Sequence, residues 1–211
     1  MFVGHTALAL ASKARAGEVP LALLIAAVFA LDMLWPVFLL LGLEHVRVDP
    51  GTTAFTPLAF DAYPWSHSLL LACVWGALLA LVPRRHRLLV GALVVSHWVL
   101  DAVSHRPDLP LWPGRSPLVG LGLWSSVPAT LLVEGLLFAA AIALYLRATR
   151  AVDRTGSFAL WSFLLLQGGL WVSSPWQPPP PSARAVAWGS LATWLFVPWA
   201  AWIDRHRSAR A

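Results

Sequence analysis

Three ionisable residues are spaced one helical turn apart at the end of an apolar stretch, at His97, Asp101 and His105. Residues four apart share one face of a helix, so these side chains would form a single stripe. Neutral imidazole and carboxylate are the ligand types of a zinc-like metal site. Because such a stripe is costly in an apolar helix unless it is paired or coordinated, it indicates a functional site. The alternative is two interfacial polar residues and one interhelical hydrogen bond.

Two more carboxylates, Asp32 and Glu134, lie inside apolar segments. Uncompensated, each costs about 2.5–3.5 kcal/mol on membrane-insertion scales. No Lys or Arg lies at the same depth. The available partners are a bound cation and the histidines His5, His67, His97 and His105. A divalent metal would neutralise two carboxylates and bind neutral imidazole, which favours a shared metal site. The alternatives are a hydrogen bond between Asp32 and the backbone that Pro36 frees, and a protonated interhelical bond for Glu134.

The composition places these residues in a membrane protein. The chain has 211 residues, of which 58% are hydrophobic and 12% charged, and its mean hydropathy is +0.68. We therefore predict an all-α, polytopic membrane helical bundle. The single cysteine, Cys73, excludes a disulfide within the chain and argues against a thiolate metal cluster. Lys13 and Arg15 follow the first apolar stretch instead of preceding it, which argues against a cleaved signal peptide.

Apolar runs predict about six transmembrane helices in one domain, 1–211. The predicted spans are 19–43, 69–82, 88–103, 127–146, 157–174 and 184–203. Residues 2–12 are too short to span and are expected to form an N-terminal half-helix against the bundle. Pro36 should kink the first span. The candidate site falls in the half 1–146, and the last two helices, within 157–203, are additional. Two Pro- and Gly-rich loops, 44–66 and 104–126, would build or cover a vestibule.

The basic residues predict the orientation of the bundle. Most of them alternate to one side, at Lys13, Arg15, Arg84, Arg85, Arg87, Arg147, Arg150, Arg154, Arg205, Arg207 and Arg210. By the positive-inside rule these loops and the C-terminus are cytoplasmic. Such short basic loops are typical of a topology signal and not of a nucleic-acid surface. Counted along the helices, the candidate site residues lie in the middle and outer half of the bilayer.

Several motifs recur in an order that resembles a known family. They are Gly4-His5, Leu31-Asp32, Ser66-His67-Ser68, the run Ser96-His97-Trp98-Val99-Leu100-Asp101, and Pro110-Leu111-Trp112-Pro113. Over residues 1–115 the chain is similar to a bacterial inner-membrane family of metal-dependent hydrolases. It is more distantly similar to zinc-dependent phospholipases C and fungal single-strand nucleases. The resemblance implies a bacterial inner-membrane location and the metal ligands His5, Asp32, His67, His97 and Asp101.

Three departures from these patterns bear on the number of metal ions. Met33-Leu34 follows Asp32 where the family often has a second carboxylate. Ala62 stands where the family often has a histidine, and Thr130 precedes Glu134 where the phospholipases have a histidine. We therefore expect one divalent ion, most plausibly Zn²⁺, or two if Asp61, His105 and Glu134 are recruited.

The predicted activity is hydrolysis of an ester or phosphoester bond in a lipid or lipid-linked substrate by metal-activated water. In this hypothesis Glu134 is a general base and His105 protonates the leaving group. Arg106 and Arg115 would bind an anionic head group. Buried Asp, Glu and His are equally typical of a proton- or metal-ion-handling transporter, which is the alternative. A third possibility is a structural bundle whose metal only links helices.

Overall fold

The computed structural model describes residues 1–83 and 85–210; Arg84, which the sequence assigns to the basic side, and Ala211 lie outside the described residues. The described chain is mostly helical. Its helices are α1 (Val3–Arg15), α2 (Leu21–Val28), α3 (Ala30–Leu40), α4 (Pro64–His67), α5 (Leu69–Leu79), α6 (Arg87–Ser104), α7 (Val127–Ala148), α8 (Arg154–Ser173), α9 (Ala183–Ser190) and α10 (Phe196–Arg205). Short 3₁₀ turns at Leu123–Ser125, Ser174–Trp176 and Leu191–Leu195 extend or join these helices. The expected helical class is therefore confirmed.

Within the described residues, four stretches are long and apolar enough to cross a membrane. They are Arg87–Ser104, Val127–Ala148, Arg154–Trp176 and Ala183–Arg205. The pair α2 and α3 passes the same test only together and is bent by 53°, so it is either a fifth, broken span or a re-entrant segment. Helix α5 has 11 residues, about 16 Å, against a hydrocarbon core of about 30 Å. The structure thus supports a membrane-inserted bundle with four or five spans by length and composition, where the sequence predicted six.

The first predicted span is broken at Phe29, not at Pro36. Phe29 leaves the helical conformation with φ −106° and ψ 8°, and it separates α2 from α3. Its ring packs edge-on against His5, with centroids 5.9 Å apart, and against Phe196, at 5.3 Å. Pro36 lies inside α3. The break therefore coincides with an aromatic contact in the core, and the new start of α3 carries Asp32 in its first turn.

Helix α1 lies inside the bundle and not at its edge. It packs against α2, α6, α7 and α8, and its residues Val3, Ala9 and Leu10 are fully buried. Glu134 of α7 accepts hydrogen bonds at Oε2 from the backbone amides of Phe2 (2.9 Å) and Gly4 (3.4 Å). A carboxylate at the positive end of a helix is stabilising, so Glu134 caps α1.

The two long loops predicted as irregular contain small antiparallel hairpins. In the first, β1 (His45–Val48) pairs with β2 (Leu58–Ala62); in the second, β3 (Leu109–Pro110) pairs with β4 (Leu118–Val119). A third pair joins β5 (Thr149–Ala151) to β6 (Arg207–Ala209) at the basic end of the bundle. The first two hairpins cover the end of the bundle at which α4 and the C-terminus of α6 lie.

Helices α5 and α6 cross closely at two glycines. A Cβ added at Gly76 would lie 2.9 Å from the Gly91 carbonyl oxygen. We expect Gly76→Ala to lower the free energy of unfolding by about 1–3 kcal/mol, because the crossing would have to open. Gly169→Ala in α8 is the matched control, since its Cβ meets nothing within 4 Å. Thermal unfolding in detergent measures both, and equal stabilities would contradict the close crossing.

Candidate metal centre

The five predicted ligands lie side by side in the structure. His5, His97 and Asp101 form one group, and Asp32, His67 and His97 form a second; within each group the potential ligand atoms lie within 4.8 Å of one another. All except Asp32 are buried, and the Asp32 side chain is 29% exposed. Buried His and Asp groups of this kind could hold a metal ion.

The distances show how tightly the groups converge. His97 Nε2 lies 3.1 Å from Asp101 Oδ2 and 3.6 Å from Asp32 Oδ1. His67 Nε2 lies 3.6 Å from Asp32 Oδ1 and 3.7 Å from Asp101 Oδ2. His5 Nε2 is 3.2 Å from Asp101 Oδ1, and the His5 ring stacks on the His97 ring at 3.7 Å. The amino group of Met1 also contacts Asp101 Oδ1, which leaves Asp101 Oδ2 and Asp32 facing the imidazoles.

A hydrogen bond to the backbone fixes the tautomer of His97. Its Nδ1 is 2.6 Å from the Val28 carbonyl oxygen at the end of α2, so Nδ1 carries the proton and donates it. The lone pair of Nε2 then faces two carboxylates. Nε2 is buried and has no hydrogen-bond partner in the described part of the chain. A proton or a metal ion must lie between an electron pair and the carboxylates that face it, and this donor set fits a divalent metal.

A hydrogen-bond relay through Ser66 and Glu44 holds the His67 ring in place. Its Nδ1 lies 2.7 Å from Ser66 Oγ, and that hydroxyl donates to Glu44 Oε2 at 2.7 Å. Glu44 Oε1 accepts from the backbone amides of Trp65 (2.8 Å) and Ser66 (2.7 Å). Burial raises the pKa of the Glu44 carboxyl, and the hydrogen bonds from Ser66 oppose that rise. Such partners are typical of metal-ligating histidines, because they orient the ring and leave Nε2 free to coordinate.

We expect Ser66→Ala to weaken metal binding about 10–100-fold, because His67 loses the partner that orients it. Ser68→Ala is the matched control: its hydroxyl caps α5 by accepting from the Leu71 amide at 3.4 Å. That variant should be less stable and still bind metal normally. Titration with Zn²⁺, followed by calorimetry, separates the two effects. Unchanged affinity in Ser66→Ala would show that the relay does not position a ligand.

The metal centre opens into a pocket of about 200 Å³. Its wall includes Asp32, His67, Asp101 and His105. The other lining residues are Met1, the aromatic residues Phe2, Trp35, Phe60, Tyr63 and Trp124, and the hydroxyl residues Ser190 and Thr193. The indole N–H groups of Trp35 and Trp124 are buried without hydrogen-bond partners among the described residues. Both tryptophans line the pocket, so their indole N–H groups are candidate donors to the oxygens of a substrate. Ser190 and Thr193 show that the last of the two helices expected to be additional, predicted at 184–203, contributes to the pocket.

His105 belongs to this pocket and is held by a carboxylate that the sequence analysis did not select. His105 Nδ1 is 3.0 Å from Asp108 Oδ1, so Asp108 accepts a hydrogen bond from Nδ1–H and Nε2 is left for the pocket. Tyr63 donates to the same oxygen at 2.9 Å, and burial raises the pKa of Tyr63 well above its usual value. The His105 ring packs on Trp124 (4.5 Å) and Phe60 (4.8 Å). The i, i+3 spacing of His105 and Asp108 was the available signal.

Four predicted roles do not match the positions that the structure gives. Glu134, the predicted base, caps α1 and is not part of the pocket wall. Arg106, predicted to bind substrate, donates from Nε to Asp108 Oδ2 at 3.3 Å and so supports His105 indirectly. Arg115 lies in an exposed turn outside the pocket. Asp61, a possible extra ligand, pairs with Arg47 on the exposed hairpin at 2.7 Å. Each side chain is engaged by a closer partner or directed elsewhere.

Comparisons with protein-family models, with curated proteins and with solved structures found no match to this chain.

Proposed function

We propose that the protein is a membrane-embedded, metal-dependent hydrolase that cleaves an ester or phosphoester bond of a lipid or lipid-linked substrate. The observation that carries the proposal is that two carboxylates and three imidazoles form two overlapping ligand groups, beside a pocket that Asp32, His67, Asp101 and His105 line. The ordered motifs that resemble the bacterial inner-membrane hydrolase family support the same activity and location. The basic loops would then face the cytoplasm.

The residues that would hold the metal are His5, Asp32, His67, His97 and Asp101. Imidazole and carboxylate ligands suit Zn²⁺ best, and the two overlapping groups allow one ion or two. When bound, a divalent cation supplies Lewis acidity, which lowers the pKa of a water molecule and polarises the oxygen of the scissile group. Asp32 is the most exposed ligand and forms the side of the centre that meets the pocket.

The other pocket residues have roles that follow from their contacts. In hydrolysis, water gives its oxygen to the carbonyl carbon or phosphorus, and a proton must reach the leaving oxygen. His105, oriented by Asp108, is placed to hold that proton at Nε2 and deliver it. The Trp35 and Trp124 indoles donate hydrogen bonds to the oxygens of the scissile group. Phe60 and Trp124 exclude bulk water from the reaction.

An apolar neighbour of this pocket favours a lipid substrate. A second cavity of about 270 Å³ shares Phe2, Phe60 and Trp124 with the first, and its other walls include Phe55, Leu58, Leu170 and Trp171. An acyl or isoprenoid chain could lie there while the polar group reaches the metal centre. Entry from the side, between apolar helices, suits such an amphiphile better than a water-soluble ester.

The proposal is tested by a substrate screen on purified protein reconstituted with Zn²⁺. Release of fatty acid or phosphate from a panel of phospholipids, lipid phosphates and polyprenyl phosphates is measured, beside the Asp101→Asn variant. We expect turnover of at least one lipid class by wild type alone. Retained metal with no hydrolysis of any lipid ester or phosphoester would count against this function.

One observation favours the transporter alternative: the span formed by α2 and α3 is broken next to the centre, and its Val28 carbonyl binds His97. Broken helices are typical of ion-binding sites in transporters. A measured flux of protons or Zn²⁺ into liposomes, abolished in Asp101→Asn, would support it. Against it, fully buried apolar side chains such as Leu10, Leu24 and Ile25 lie in the core of the helices that run from the centre toward the basic end.

A further inference from the structure

A third cavity, lined mainly by polar residues, lies at the basic end of the bundle, where β5 pairs with β6. Its volume is about 680 Å³, and it is enclosed by the C-terminal ends of α1, α7 and α10 and by the β5–β6 pair. Five cationic side chains line it, against two acidic ones; the seven residues are Lys13, Arg147, Arg205, Arg207, Arg210, Glu18 and Asp204. On α1, eight residues separate Lys13 from His5, which is about 12 Å at helical rise. This cavity is therefore separate from the metal centre.

Some of these cations hold the walls together. Arg207 donates to Thr149 Oγ1 from Nη2 at 3.0 Å and from Nε at 3.3 Å, and its guanidinium lies over the Tyr145 ring at 5.4 Å. Arg210 donates to the Thr149 carbonyl oxygen at 3.1 Å. Lys13 pairs with Asp204 at 3.1 Å. These contacts hold the walls of the cavity together.

Three further donors have no close ion-pair or well-formed hydrogen-bond partner in the described part of the chain. Arg147 and Arg205 are exposed, and no carboxylate of the described chain lies within ion-pair distance of either. Tyr145 is 1% exposed, and its hydroxyl lies near the Thr149 and Arg207 side chains but makes no well-formed hydrogen bond within residues 1–83 and 85–210. A buried hydroxyl without a partner is costly, which points to a ligand that completes it.

We propose that this cavity binds a phosphate-bearing anion, either the headgroup of an anionic phospholipid or a soluble phosphoester. Guanidinium groups bind phosphate oxygens in a fork geometry, and a tyrosine hydroxyl adds a neutral donor. The cavity lies where the helices end and the basic loops begin, which is the level of lipid headgroups. The inference does not depend on the proposed hydrolase activity.

Topology alone would also place arginines at this end, so the test must separate the cavity from the surrounding surface. Arg147→Gln/Arg205→Gln removes two charges from the cavity. Arg150→Gln/Arg154→Gln removes two charges from exposed residues of the same face that do not line it. Tyr145→Phe removes only the buried hydroxyl and changes no charge. None of the five residues belongs to the metal centre.

Binding is measured on the purified full chain in detergent, with phosphatidic acid against phosphatidylcholine in mixed micelles and, separately, with glycerol phosphate in solution. We expect selective binding of phosphatidic acid, weakened about tenfold for each cavity arginine removed, or about 1.4 kcal/mol each. Tyr145→Phe should weaken it about fivefold, the loss of one hydrogen bond. The Arg150→Gln/Arg154→Gln control should bind as wild type does.

The two arms identify the source of the phosphate. Binding of phosphatidic acid alone assigns the cavity to a lipid headgroup, and comparable binding of glycerol phosphate assigns it to a soluble phosphoester. The proposal is overturned if neither ligand binds better than phosphatidylcholine, or if the control loses as much affinity as Arg147→Gln/Arg205→Gln. The proposal is also overturned if Tyr145→Phe and Arg147→Gln/Arg205→Gln both bind phosphatidic acid with wild-type affinity.

Discussion

The Asp101→Asn variant is expected to lose its metal and its hydrolytic activity together, with turnover falling at least about a thousandfold. Asp101 contacts three of the proposed ligands: Oδ1 lies 3.2 Å from His5 Nε2, and Oδ2 lies 3.1 Å from His97 Nε2 and 3.7 Å from His67 Nε2. Asparagine keeps the shape but removes the negative charge. In thermal unfolding, Zn²⁺ at a hundredfold excess over Kd should stabilise wild type by about 2.7 kcal/mol and leave the variant unchanged.

Asp61→Asn is the matched control for this experiment, because Asp61 pairs with Arg47 on the exposed hairpin. It should bind Zn²⁺ and turn over substrate as wild type does. If Asp101→Asn still bound metal with wild-type affinity, the assignment of the centre would be wrong. If it failed to fold with or without metal, and no catalytic defect could be separated from folding, the metal would be a structural link between helices.

The His105→Ala variant is expected to keep its metal and lose activity by a factor of about 10²–10⁴, the usual contribution of a general acid. His105 lines the pocket but is not a member of either ligand group. Its imidazole is held by Asp108 at 3.0 Å. Metal content by elemental analysis and turnover of the best lipid substrate are measured on the same preparation.

Asp108→Asn completes this experiment, because it removes the negative charge that Asp108 places beside His105 and leaves the imidazole in place. We expect an intermediate loss of turnover and an altered pH–rate profile, since Asp108 acts through His105. His86→Ala is the control. His86 precedes the first residue of α6, whereas His105 follows its last residue, and His86 pairs with Glu18. Loss of metal in His105→Ala would make His105 a ligand, and wild-type turnover would exclude it as the proton donor.

The stripe on α6 could be predicted from sequence because its geometry is local. His97 and Asp101 are one turn apart within an 18-residue helix, and helical spacing alone puts them on one face. The convergence of His5, Asp32 and His67 on that stripe could not be derived in this way. It accompanies the break at Phe29, whose ring packs against His5 and Phe196, and hydropathy carries no signal for such a contact.

Glu134 shows the limit of arguments from burial cost. The burial cost correctly required a partner for a carboxylate inside an apolar helix, and the alternatives considered for Glu134 were a metal ion, a histidine and a protonated interhelical bond. The partners are backbone amides at the start of α1, which become available only once that helix lies inside the bundle. Glu44 was overlooked for the opposite reason: it sits at the end of an apolar segment, where a solvated carboxylate is unremarkable, and hairpin folding buries it against Ser66.

The most direct test of the central claim is elemental analysis of the detergent-purified protein, with His97→Ala alongside as the variant that lacks the central ligand. The account predicts about one or two equivalents of a transition metal, most plausibly zinc, in wild type and none in a folded His97→Ala variant. Wild-type protein that holds no metal, and whose thermal stability does not change when Zn²⁺ is added, would contradict the account.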